Sequence, residues 1–447
     1  MSRPLSALER ADFSPSRYVL KNATVPACLT SGAIEPRGDG LGRAHLLVEH
    51  GDVIAVVSRE DMLGGGAGPE IDLDGGLVLP GFVDMHTHLD KGHIWPRRPN
   101  PDGSFAGALE AVSADRPANW NTTDLRRRME FSLRTAYAQG TVMIRTHLDS
   151  IPPQEGISWP LFEELRVEWA DRIELQASAL FGIESLLVPE FLPHMADVVA
   201  RARGTLGAVT YMVEGLAGHL DAMFEAAEAR GLDLDFHVDE TGDPSARSLA
   251  MIAETAIRRK FRGRIVVGHC CSLACQEPDE ADRTLDLVAR AGIGVVSLPM
   301  CNMYLQDRQA GRTPRWRGVT LLHEMKARGI PVAVASDNTR DPFYAYGDMD
   351  MVEVFTQAMR IAHLDHPVGD WIRAVTSTPA DLLGEGTRGR IEPGLPADLV
   401  VFSARDWNEL GARPKGPRRV LRSGREISSD LPDHRELDDL MEPRTHA

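Results

Sequence analysis

Short apolar runs alternate with amphipathic helical stretches through the middle of this chain, and several of the runs end on a side chain able to ligate a metal. That combination narrows the possible folds more than any other feature. The first run, Leu77-Val78-Leu79-Pro80-Gly81-Phe82-Val83-Asp84-Met85, leads directly into His86-Thr87-His88. On a strand, residues i and i+2 share a face, so both imidazoles project from the same edge. Asp235-Phe236-His237-Val238-Asp239-Glu240, Val266-Val267-Gly268-His269 and Val334-Ala335-Ser336-Asp337 repeat the pattern. Strands are expected at 77–85, 141–146, 173–181, 207–212, 232–236, 264–268, 292–298 and 331–335, with helical patterns between them such as 216–230 and 284–291. Eight such units predict an α/β fold, a (β/α)8 TIM-type barrel whose strands are buried on both faces and so read as continuous apolar runs. A doubly wound sheet shows the same alternation, but no glycine-rich dinucleotide turn supports it. Barrel enzymes carry their sites at the C-terminal strand ends, where all these ligand-type residues fall.

Both ends of the chain read as short strands broken by turns, including a hairpin signal at Glu49-His50-Gly51-Asp52. The expected organisation is a small β-sandwich built from 1–76 and 388–425, flanking a barrel over 77–387, with a charged, loosely held tail over 426–447. At 447 residues, 43% apolar and 26% charged, the chain suits a soluble globular protein. Its 49 Lys and Arg against 65 Asp and Glu give a formal charge of -16, which argues against nucleic acid or an anionic membrane as partner. Five cysteines form no regular disulfide framework. With no signal-peptide pattern and no apolar run near the roughly 20 residues of a membrane span, a cytoplasmic protein is expected.

His86, His88, His237 and Asp337 together make a site for one divalent ion, and imidazole ligands suit zinc, iron, copper or nickel. A bound cation lowers the pKa of water to roughly 7. Glu240, three residues past His237, is placed to move a proton between that water and a substrate. His269 is a candidate to hold the attacking oxygen, and Asp337 to accept its proton as well as ligate.

The stretch Pro80-Gly81-Phe82-Val83-Asp84-Met85-His86-Thr87-His88, the strand ends at His237 and His269, the late Asp337, and Pro393-Gly394-Leu395-Pro396-Ala397-Asp398-Leu399-Val400 resemble the amidohydrolase superfamily over roughly residues 18–422. His88-Leu89-Asp90-Lys91, Arg145-Thr146-His147-Leu148-Asp149, His237-Val238-Asp239-Glu240 and Asp337-Asn338-Thr339-Arg340-Asp341-Pro342-Phe343 are similar to its cytosine deaminase branch. The resemblance implies one metal, zinc or iron, on His86, His88, His237 and Asp337, with Glu240 as proton shuttle and His269 as the water-orienting histidine. It also implies hydrolytic deamination of a planar N-heterocycle, with metal-activated water attacking the amino-bearing ring carbon, and a homo-oligomer. Binuclear members use a carboxylated lysine from a middle strand; 173–181 and 207–212 contain none.

Two departures argue against cytosine itself. Leu180-Phe181-Gly182-Ile183-Glu184 lacks the ring-contacting glutamine of that branch, and Asn338 stands where a second aspartate is usual. Asn338, Phe343, Phe105, Lys91 and His147 are the candidate substrate contacts. His147 has a second possible role, buttressing the metal ligands, and Lys91 has the alternative of an ion pair with Asp90 or Asp149. Hydrolysis of a cyclic amide or an N-alkylamino-triazine, and a non-catalytic barrel scaffold, are the competing readings.

Overall fold

In chain order the strands of the computed structural model are β1 (Arg17–Pro26), β2 (Leu41–Glu49), β3 (Asp52–Val57), β4 (Glu70–Asp72), β5 (Val78–Pro80), β6 (Phe82–Thr87), β7 (Thr141–Asp149), β8 (Glu174–Leu180), β9 (Leu206–Thr210), β10 (Leu234–Val238), β11 (Ile265–His269), β12 (Gly294–Ser297), β13 (Val332–Val334), β14 (Leu399–Phe402), β15 (Arg418–Arg422) and β16 (Arg425–Glu426). The structure describes residue 8 and residues 11–32, 34–63 and 68–441. Parts of the expected N-terminal segment and the last residues of the tail, 442–447, lie outside these.

The chain divides into two compact units. One comprises residues 84–134, 143–349 and 432–447. Within it, hydrogen-bonded neighbours run β6-β7-β8 and β9-β10-β11-β12-β13, and the β7–β8 pairing and all those from β9 to β13 are parallel. Parallel bridges Ser178↔Thr205 and Gly182↔Val209 join β8 to β9, and Thr87↔Asp337 brings the chain beyond β13 against β6. Helices such as Leu216–Arg230 and Pro278–Ala291 connect the strands. This order is consistent with a (β/α)8 barrel. Strand β10 shows why the runs look uniformly apolar: all five residues are buried, with Phe236 packed on Phe224 of the preceding helix, Leu216–Arg230, while His237 takes the opposite face.

The other unit comprises residues 1–83, 135–142 and 350–431. It holds two four-stranded sheets, ordered β3-β2-β1-β4 and β16-β15-β14-β5. A single apolar cluster draws on both, with Leu20, Val25, Leu46 and Val53 from the first and Val78, Leu399 and Leu421 from the second. Burying each such side chain contributes about 1.5–3 kcal/mol. Tyr18 adds a buried hydrogen bond from its hydroxyl to the Gly424 carbonyl at 2.6 Å.

Two expectations change. The run 77–85 is not one strand: it breaks at Gly81, and β5 pairs antiparallel with β14 while β6 joins β7. Gly81 is required there because a Cβ would meet the Val142 side chain. The tail, as far as Met441, also makes specific contacts: Arg134 bonds Glu436 at 2.5 Å, Arg127 bonds Asp439 at 2.5 Å, and Arg97 reaches the Leu440 carbonyl at 3.1 Å. Among the described residues, no helix is long and apolar enough to cross a membrane.

Candidate active site

Four side chains from two strand ends and the loop after β13 converge. His86 Nε2 lies 3.1 Å from His237 Nε2, and His237 Nε2 lies 3.3 Å from His88 Nε2. Asp337 Oδ1 lies 3.2 Å from His88 Nε2 and 3.7 Å from His86 Nε2. A tetrahedral ion with ligand bonds near 2.0–2.1 Å sets its donor atoms about 3.3–3.4 Å apart, so these separations fit one divalent cation. The chemistry of the donors agrees. All four are buried, burial holds the three imidazoles well below their usual pKa and therefore neutral, and both Asp337 carboxylate oxygens lack a hydrogen-bond partner. Burial also raises Asp337 to about 7. Each unsatisfied buried acceptor costs about 1–3 kcal/mol, a cost that a bound cation removes.

The backbone explains how the set is assembled. His237 pairs in register with Gly268, and His269 with Val238, so plain alternation would turn His269 away from the His237 face. His269 instead adopts a left-handed backbone, φ 69°, and its ring comes within 5.0 Å of the His237 ring. Asp337 is similar. It is bridged to Thr87, the residue between the two outer histidines, and φ 63° swings its carboxylate toward them. Non-glycine residues in this region are strained and cluster at functional sites. Gly268 supplies the space: a Cβ there would lie 2.8 Å from His86 Cε1.

Beside the four lies a second polar group. Asn302, in the short helix Pro299–Leu305 after β12, places its Nδ2 at 3.1 Å from Glu240 Oε1 and 2.9 Å from His269 Nδ1. His269 Nδ1 and Glu240 Oε1 are 3.4 Å apart. Burial, and then the Asp337 charge, push Glu240 well above the usual carboxylate range. Burial lowers His269 to about 3, so its ring is neutral. An Nδ1 that accepts from the Asn302 amide puts the ring proton on Nε2, which has no partner within the protein. The sequence reading missed Asn302. It closes no apolar run, because it sits inside the helix beyond β12 rather than at the strand end.

The remaining candidates separate. The His147 ring lies 4.0 Å from that of His86 and 4.7 Å from that of His237, and neither of its nitrogens has a hydrogen-bond partner. Its donor atoms also group with those of His86 and His237 as a possible ligand set. Lys91 takes the ion-pair alternative: its Nζ sits 2.5 Å from Asp149 Oδ1 and 3.2 Å from His88 Nδ1. Asp149 is also gripped by Arg116 at 2.6 Å and 2.9 Å. Asn338 gives its amide to Asp341 at 2.7 Å. Phe105 and Phe343 meet edge to face at 5.4 Å, both half-buried. Asp341 in turn accepts from the backbone N–H groups of Phe343 and Tyr344, which shapes the loop carrying Asn338.

Comparison with known proteins agrees with this geometry. The model of the Amidohydrolase family matches residues 69–151 and 132–427. The chain is 55% identical over 430 residues to a pterin deaminase of Rhizobium rhizogenes, covering 95% of this chain and 97% of that one. It is 27% identical to the N-isopropylammelide isopropyl amidohydrolase of a Pseudomonas species, over 78% of this chain and 85% of the other. A crystal structure of the 5-methylcytosine deaminase of Klebsiella pneumoniae superposes with a TM-score of 0.79 at 25% identity, covering 93% of this chain and 98% of that one.

Proposed function

The chain belongs to the amidohydrolase family, and on that premise we propose that its substrate is a pterin, deaminated hydrolytically at the amino-bearing ring carbon. The protein is a hydrolase of C–N bonds and a deaminase of a nitrogen heterocycle; the pterin ring is the finer reading, taken from the relative at 55% identity. The observation that carries it is the convergence of His86, His88, His237 and Asp337 with the Glu240–Asn302–His269 group beside them.

In this reading those four residues hold one zinc or iron ion, which when bound supplies the Lewis acidity that makes water nucleophilic at neutral pH. Asp337 accepts the proton that the water gives up. His269, with its proton on Nε2, donates to the oxygen entering the ring, and Asn302 fixes that tautomer. Glu240, kept protonated by burial, would deliver its proton to a ring nitrogen. The proton taken up by Asp337 passes to the amino group, which leaves as ammonia, while Glu240 recovers a proton from the new hydroxyl as the ring carbonyl forms. His147 and the Lys91–Asp149–Arg116 group support the histidines from behind. Asn338, Phe343 and Phe105 border the space for the ring. The parallel strands form a closed (β/α)8 barrel, and the two four-stranded sheets form a β-sandwich from both ends of the chain.

The test is ammonia release from pterin, aminopyrimidines, aminotriazines and an N-alkylamino-triazine, with the products identified by mass. Pterin turned over fastest, with its amino group replaced by oxygen, is the expected result. Turnover of the N-alkylamino ring with pterin untouched would replace this reading by the dealkylating one.

A further inference from the structure

Next to His237 the wall of the site is unusually bare. Val209 is the register partner of His237, and Gly182 bridges to Val209, so the three share one row across β10, β9 and the end of β8. Val209 and Gly182 are partly exposed although their strand neighbours are buried, which marks open space in front of them. Two residues further along each segment, Tyr211 and Glu184 stand above this shelf, and the Tyr211 hydroxyl donates to Glu184 Oε2. Both carboxylate oxygens of Glu184 occupy the volume that a Cβ on Gly182 would need. The carboxylate therefore folds back over Gly182, while Glu184 and Tyr211 both stay exposed at the rim.

From this juxtaposition we infer that Glu184, oriented by Tyr211 over Gly182, is a specificity-determining residue that accepts a hydrogen bond from a ring N–H or amino group of the substrate. The inference rests on the deaminase reading and deepens it. A carboxylate with one oxygen committed to a tyrosine keeps lone pairs free for a donor, and offers no donor of its own. It selects heterocycles that present N–H at that edge and penalises rings that present only lone pairs or an N-methyl group. Burial, and then the neighbouring carboxylate, push the Tyr211 phenol up, so it stays protonated and keeps Glu184 in place. Leu187, Val188 and Met212, close by in sequence, are exposed and carry no charge.

The test uses the metal-loaded protein and whichever amino-heterocycle the wild type deaminates fastest, so failure of the pterin reading leaves it decisive. Glu184→Ala is expected to raise KM roughly ten- to hundredfold, the worth of a hydrogen bond to a charged group, with kcat and metal content nearly unchanged. Gly182→Ala should reproduce the KM increase, because Gly182 has an ordinary backbone (φ -67°) and the added methyl displaces only the flexible end of Glu184. The N-methylated form of the same ring should lose its disadvantage in both variants. Unchanged KM in Glu184→Ala, or a fall in kcat and metal content with KM constant, overturns the inference.

Discussion

The cluster of imidazoles and the rim above it are built by different means. His86, His88 and His237 sit on strands or directly at their ends, locked by backbone register and buried from solvent. Glu240, Asn302, Asn338 and Glu184 come from the segments beyond the strands, and the side chains around them hold them in place. The strand-borne part fixes which chemistry is available. In the proposed reading, the loop-borne part decides which molecule reaches it and where protons travel. Families that keep one barrel and change substrate exploit this split.

The contrast can be broken at its strongest point by stripping the ion. Dialysis against a chelator should abolish ammonia release, and zinc or ferrous iron added back should restore it; full activity in chelated, metal-free protein would sink the cation site. His237→Ala should cost on the order of 10^4-fold in kcat and lower the metal content seen by elemental analysis. Glu240→Gln belongs to the other half of the comparison: about 10^2–10^4-fold in kcat, with bound metal and fold retained. Smaller effects probe the seam between the halves. Lys91→Met removes the ammonium between His88 and Asp149, and competition with a chelator should show metal affinity falling about 10–100-fold. Asn302→Ala should cost about five- to tenfold in kcat, one hydrogen bond's worth, without altering metal content.

The same division explains what could be read from the sequence. His86, His88, His237, His269 and Asp337 were legible because each closes an apolar run, and the period of a strand is a strong local signal. The inward turn of His269 and Asp337 was not legible: on alternation alone both face the wrong way, and a left-handed backbone corrects them. Gly81 misled for a related reason. An apolar run does not show that its two halves serve different sheets. Asn302 and the Glu184–Tyr211 pair carry no spacing rule, because their partners lie far off in sequence. Likewise nothing local marks the tail as ordered, since Arg127 and Arg134 hold it from about 300 positions away.

Gly268 has a practical bearing on engineering this scaffold. It sits with its hydrogen-only side against the His86 imidazole, in a strand whose other residues, Ile265, Val266, Val267 and His269, all carry larger side chains. Libraries that shuffle or randomise the sixth strand will yield well-expressed, folded molecules that have lost their ion wherever this codon drifts, so screens scored on solubility alone will enrich inert clones.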